Sequence, residues 1–221
     1  MSDSAATSIT DNTVLVMLGD HLQSHLSPIG FQRHGPATFK RQRTSSENAV
    51  LLHRRIETLP GGVRVCWITP IVQTNFEEVK RIAWAIRGPS KLPCVGGALG
   101  RFTPKRSLME WPITDRNEAR GVAEDIWQVI NRWGTVVWDK TQTVEQTLNA
   151  IEEGSLPDQP PYWEEQAAMY LIARGLDSAS NFLKRLPKLA PEQKTRAEDI
   201  LRRSLEGSAT PQKRPSTIIG I

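Results

Sequence analysis

The sequence predicts an α+β protein: one antiparallel sheet packed by helices, followed by a helical C-terminal extension. Three observations carry that expectation. Residues 115–140 keep one apolar helical face throughout, with Ala119, Val122, Ala123, Ile126, Ile130 and Trp133 at steps of three and four. Residues 48–57 and 63–72 read as strands on either side of Leu59-Pro60-Gly61-Gly62, which predicts an antiparallel hairpin. After residues 154–161 (GSLPDQPP) the composition changes to helical runs broken at Gly175, Pro187 and Pro191.

In chain order, residues 1–10 are small and polar and are expected to be disordered. Asp11 or Asn12 offers a cap to a helix in which Leu15, Leu18, Leu22 and Leu26 share a face, closed by Ser27-Pro28 and Gly30. Phe39 alternates with Lys40 and Arg41 in a short strand. In the hairpin's second strand, Val63, Val65, Trp67 and Thr69 fall on one face and Arg64, Cys66 and Ile68 on the other. Pro70 predicts an edge position or a bulge. Asn75 is expected to cap a short helix halted by Gly88-Pro89, and strand-like pieces follow at 100–103 and 108–113. Asp115 with Glu118 forms a capping-box pattern for the long helix, Gly134 is its expected stop, and Thr143 with Gln146 repeats the pattern for another. The expected organisation is therefore a disordered segment 1–10, an α+β domain 11–153, a linker 154–161, a helical extension 162–207 and a flexible tail 208–221.

The chain has 221 residues, enough to bury a substantial core, and its 28 Lys plus Arg against 24 Asp plus Glu give a net charge of +4. That excess permits nucleic-acid binding without demanding it. Two cysteines, Cys66 and Cys94, make no disulfide framework, and no stretch reaches the roughly 18–20 apolar residues of a membrane span. With no basic leader-like start, the expected compartment is the cytoplasm and no membrane partner is expected.

The stretch from Leu22 to Gly30-Phe31, the break before Phe39-Lys40-Arg41, the hairpin, the Gly100-Arg101 element and the tryptophan-bearing helix together resemble a bacterial domain of unknown function, family 4304. The resemblance spans about residues 15–140. It implies an α+β fold and a bacterial or phage source, and brings no assigned activity or functional residue. The helical region after Gly154 lies outside it.

Catalytic patterns are incomplete. His21 and His25 stand four apart on a helix, but no Glu follows the first His as zinc-protease chemistry requires. Glu78-Val79-Lys80 fits half of a metal-dependent nuclease site, with Glu57 the only strand-borne acidic partner and a solvated helix face as the competing account. The glycines of 96–101 lack both phosphate-loop spacings, so turn geometry explains them better. No G-x-S-x-G elbow occurs. No catalytic residue, metal ligand or cofactor is assigned.

Arginine is what the sequence concentrates. Arg33, Lys40, Arg41, Arg43, Arg54, Arg55 and Arg64 crowd the first strands, with only Glu47 and Glu57 near. Guanidinium groups on one sheet face would clamp carboxylates or phosphates, and exposed Trp67 or Trp111 would add stacking. The competing account is a sheet kept soluble by arginine with its tryptophans buried. On the long helix Trp133 follows the core stripe, while Trp138, past Gly134, is placed to meet a partner. The expected function is a non-enzymatic binding protein of the inhibitor or immunity type, recognising an acidic protein partner through Arg41, Arg43, Arg54, Arg64, Trp111 and Trp138. Sequence-nonspecific nucleic-acid binding is the alternative, and a metal-dependent hydrolase or nuclease the second.

Overall fold

The structure, a computed structural model, describes residues 11–156 and 162–208. The N-terminal segment 1–10, most of the linker 154–161 and the tail beyond Ser208 lie outside the described residues. The chain divides into two compact units. One is formed by residues up to 77 together with 91–162, the other by 78–90 together with 163 onward. The short helix before Gly88 thus belongs with the C-terminal helices, an association between distant segments that composition did not signal.

The first unit is the α+β body. Helix α1 (Asp11–Leu26) buries Val14, Leu18, Leu22 and Leu26 completely, and ends in a 3-10 turn (Ser27–Ile29) closed by Gly30 at a φ of 87°. Strands β1 (Gln32–Gly35), β2 (Thr38–Gln42), β3 (Glu47–Thr58) and β4 (Arg64–Asn75) form an antiparallel meander. The other edge of β4 pairs with β5 (Val95–Ala98) and β6 (Trp111–Ile113). Strand β4 is therefore central, not the edge that Pro70 suggested. Leu52, opposite Pro70, turns its N–H away to Ala37 O at 2.8 Å, so Pro70's missing donor would point from β3 toward the other edge. There β6 pairs residues 66–68 and β5 pairs 71–74, and Pro70 sits in the gap between them. The expected strand pieces at 100–103 and 108–113 are accordingly a 3-10 turn (Leu99–Phe102) and the three-residue β6.

The long amphipathic segment opens on the expected capping box: Asp115 accepts from Asn117 N at 2.7 Å, while Glu118 accepts from Asp115 N at 3.2 Å. It runs as α3 (Ala119–Val129), one π-helical turn (Ile130–Gly134) and α4 (Thr135–Lys140). Gly134 is not the stop the sequence suggested. Its backbone keeps helical angles, φ −65° and ψ −41°, and a side chain there would meet Val72, Ile130 and Trp138 at ordinary contact distances of 3.4–3.5 Å. Helix α5 (Val144–Glu152) follows, with the Thr143 hydroxyl accepting from Gln146 N at 3.1 Å.

The second unit contains α2 (Glu77–Arg87), α6 (Trp163–Arg174), α7 (Leu176–Lys184) and α8 (Pro191–Ser208). Tyr170 stacks on Phe182 with centroids 4.9 Å apart, and Ala167, Ala179, Leu183, Ala197 and Leu201 are buried. Glu165 is also completely buried, held by both terminal nitrogens of Arg87, with Glu164 3.6 Å from the same guanidinium. Among the described residues, no helix is long and apolar enough to cross a membrane.

Candidate functional site

Side-chain parity fixes where the arginines go. Residues paired across an antiparallel ladder share a face, so Phe39 with Val50, Arg41 with Asn48, and Val50 with Val72 lie on one side of the sheet. Val72 meets the π turn at Gly134, which makes this the helix-covered side. Arg54, opposite Ile68, and Arg64, opposite Thr58, have the same parity. Arg41, Arg54 and Arg64 therefore do share one face, but it is the face that carries the core residues Phe39, Val50 and Val72, and of the three only Arg64 is exposed.

The opposite face carries Lys40, Glu47, Arg55, Glu57, Trp67 and Thr69, and its charges are matched locally. Lys40 reaches Glu47 at 3.0 Å, Arg55 reaches Glu57 at 2.8 Å and Glu110 at 3.3 Å, and Trp67 donates to Glu57 at 2.9 Å. No uncompensated basic field arises there.

Nor do the predicted binding residues form one cluster. Arg43 follows the Gln42–Glu47 pair and Arg64 faces Thr58 at the far end of β3. Eleven residue steps between those ends, at about 3.3 Å each, separate them by roughly 36 Å. Arg54 and half-buried Trp111 flank Ile68 in one cross-sheet row. Trp138 is 2% exposed, interior and not displayed. Trp133 is half-buried under Arg132, whose guanidinium lies 5.1 Å from its ring, outside the core stripe assigned to it.

Arg41 and Trp138, however, come together. The Arg41 guanidinium lies 4.7 Å from the Phe31 ring centroid and 5.1 Å from that of Trp138, whose own centroids are 4.8 Å apart. Its Nη1 donates to Ile29 O at 3.1 Å and its Nη2 to Asn48 Oδ1 at 3.0 Å. Beyond Asn48 runs a buried polar thread. Asn48 Nδ2 donates to Thr74 Oγ1 at 3.1 Å, Thr74 and Thr141 hydroxyls meet at 2.7 Å, and Thr141 Oγ1 donates to Val137 O at 2.9 Å. Since Thr141 spends its proton on Val137, Thr74 must donate to Thr141, and Asn48 must turn its amide oxygen to Arg41. Every bond in the thread runs one way, and the last acceptor is a carbonyl of α4.

The electrostatics at this end are unbalanced. Burial, then the charge of Arg43, push the Arg41 pKa down to about 10, and Asp139 opposes them. Arg43 is exposed at the turn after β2, where its N–H closes on Ser46 O at 2.7 Å. Ser45 Oγ donates to Gln142 O at 2.8 Å, tying that turn to the segment after α4. Arg41 therefore feels a second guanidinium group as well as one aspartate.

The remaining patterns read from the sequence have local explanations. Glu78 pairs with Arg81 at 3.8 Å on the exposed side of α2, and Glu57 is held by Arg55 and Trp67. His25 pairs with Glu124 at 3.0 Å and stacks on Trp127. Gly96 lies where a side chain would collide with Val72 O at 2.6 Å, and Gly100 where one would collide with Ser107 O at 2.2 Å, so close backbone approach accounts for that glycine run. Among the described residues, no three His, Cys, Asp or Glu side chains are grouped to hold a metal ion.

Asn48, Thr74, Thr141 and Phe31 escaped the sequence reading. Asn48 alternates in phase with Val50 and Leu52, and a polar residue in an apolar phase was the available signal. No family model matches the chain, and neither a curated protein nor a solved structure matches it.

Proposed function

We propose that this is a non-enzymatic binding protein that takes an acidic macromolecular partner at the end of the sheet formed by Arg41, Arg43 and the turn to Ser46. One observation carries the reading: the Arg41 guanidinium is held half-buried on two aromatic rings by neutral acceptors, with a second arginine nearby and a single aspartate opposing it. A desolvated cation so placed gains from an incoming anion, because solvent no longer does that work. The resemblance to family 4304 brings no activity and leaves this reading to stand on the geometry.

The test is a titration with poly-L-glutamate and, separately, with single-stranded oligothymidylate at stepped salt concentrations. Poly-L-glutamate should bind, and Arg43→Ala and Arg41→Lys should each weaken it. Binding of the oligonucleotide alone, with affinity falling steeply as salt rises, would instead establish the nucleic-acid alternative. Absence of both complexes at low salt would end the reading.

A further inference from the structure

We infer that the Arg41 end contains a subsite for one carboxylate group, in which Arg41 Nε, the Ser46 hydroxyl and the Trp138 indole N–H are the donors. The inference rests on the proposed binding of an acidic partner and names the chemistry of the contact.

Arg41 Nε, Ser46 Oγ and Trp138 Nε1 are all buried, and among the described residues none of the three has a hydrogen-bond partner. A buried donor left without an acceptor is unfavourable, and native chains rarely leave several together. These three belong to neighbouring side chains. Trp138 lies beneath the Arg41 guanidinium. Ser46 stands two residues from Asn48, the direct cross-strand partner of Arg41, and is 2% exposed. It is thus Arg41's diagonal neighbour on the same face, within reach of a long side chain. Arg41 Nε and Trp138 Nε1 can only donate and the Ser46 hydroxyl can donate as well, so an acceptor is what completes all three together.

The guanidinium narrows the choice. Ile29 O and Asn48 Oδ1 take one N–H from each terminal nitrogen, while the Nε–H has no acceptor. A carboxylate, with two oxygens, can accept from Nε and from a second of the three donors at once. Arg43 acts on Arg41 as a second positive charge, which an incoming anion would offset. The one-way thread through Thr74 and Thr141 keeps the Asn48 amide oxygen turned to Arg41.

The experiment follows the Trp138 indole N–H resonance, assigned by its loss in Trp138→Phe, during titration with sodium acetate, sodium chloride and inorganic phosphate at matched ionic strength. Acetate should shift it and chloride should not. No response to acetate, an equal response to chloride, or a response to phosphate alone would overturn the subsite. In parallel, poly-L-glutamate affinity should fall about tenfold in Ser46→Ala and in Trp138→Phe, the scale of one lost hydrogen bond to a charged acceptor. Unchanged affinity in both variants, with wild-type binding intact, would overturn the subsite and leave the broader reading standing. Failure of poly-L-glutamate to bind the wild type would remove that reading instead. Ser46→Ala leaves the aromatic packing in place, so the test survives if Trp138→Phe does not fold.

Discussion

Arg41 is half-buried and Arg87 largely withdrawn from water, one in each unit, and they are satisfied in opposite ways. Arg87 has its charge matched: Glu165 takes both terminal nitrogens and Glu164 adds a second carboxylate at 3.6 Å. Burial raises the Glu165 pKa above the usual carboxylate range even against the opposing pull of Arg87. Arg41 is held by a backbone carbonyl, an amide oxygen and two aromatic rings, none of which carries a full negative charge. The first arrangement binds its own helices together. The second leaves a cation oriented and incompletely compensated, which is the arrangement expected of a recognition residue.

The largest expected difference is in stability. Arg87→Ala would strand two buried carboxylates and should cost about 3–5 kcal/mol, measured by urea unfolding with hydrogen exchange of the α6 amides. A cost no greater than that of Arg41→Ala would break the contrast. The same unit should respond to pH. Because Glu165 holds its proton more tightly folded than unfolded, stability should fall as pH rises from the ordinary glutamate range through the raised value. Denaturant midpoints across that range would show it, and a rise with pH would contradict the assignment.

A smaller effect is expected from Thr141→Val, which removes the donor to Val137 O and the acceptor for Thr74. It should cost about 1–3 kcal/mol and loosen Arg41, whereas Thr141→Ser should keep both. Equal behaviour of the two variants in thermal unfolding would show that the hydroxyl does not organise the thread. Glu118→Ala should cost about 1 kcal/mol through loss of the capping box. The hydrogen bond from Thr114 N is the main cause of the lowered Glu118 pKa. Its contribution should therefore be present above the ordinary carboxylate range and fade as pH falls through the depressed value. Smallest of all, Lys40→Ala and Arg55→Ala on the opposite face should leave poly-L-glutamate binding unchanged, since Glu47, Glu57 and Glu110 already occupy those cations. Strong weakening by either would move the interface to that face.

Much of the fold was legible because periodicity reports burial directly. The four leucines of α1, the β3–β4 hairpin and both capping signals at Asp115 and Thr143 follow from spacing alone. Gly134 gave the wrong stop because a glycine ends a helix only where the backbone leaves the right-handed region, and here it stays at φ −65° and ψ −41°. For the site, the alternation of Phe39 with Arg41 and of Cys66 and Ile68 with Arg64 already contained the correct parity. Which phase faces outward is not legible there, since Val65 and Thr69 on the other side are also buried, at 3% and 8% exposure. Trp138 was expected to meet a partner, and it is instead interior, 2% exposed and packed on Phe31 and Arg41. Its contact with Arg41 joins residues almost a hundred positions apart, which no local pattern encodes.

The Nε–H resonance of Arg41 itself gives the most direct test, observed by nitrogen-edited NMR during titration with an N-acetylated glutamate diamide and with sodium chloride at equal ionic strength. The glutamate derivative should shift that proton downfield and slow its exchange with water, with chloride doing neither. A resonance that stays unmoved by the carboxylate would mean that Arg41 is a structural side chain, and that the acidic partner, if it binds, is recognised elsewhere.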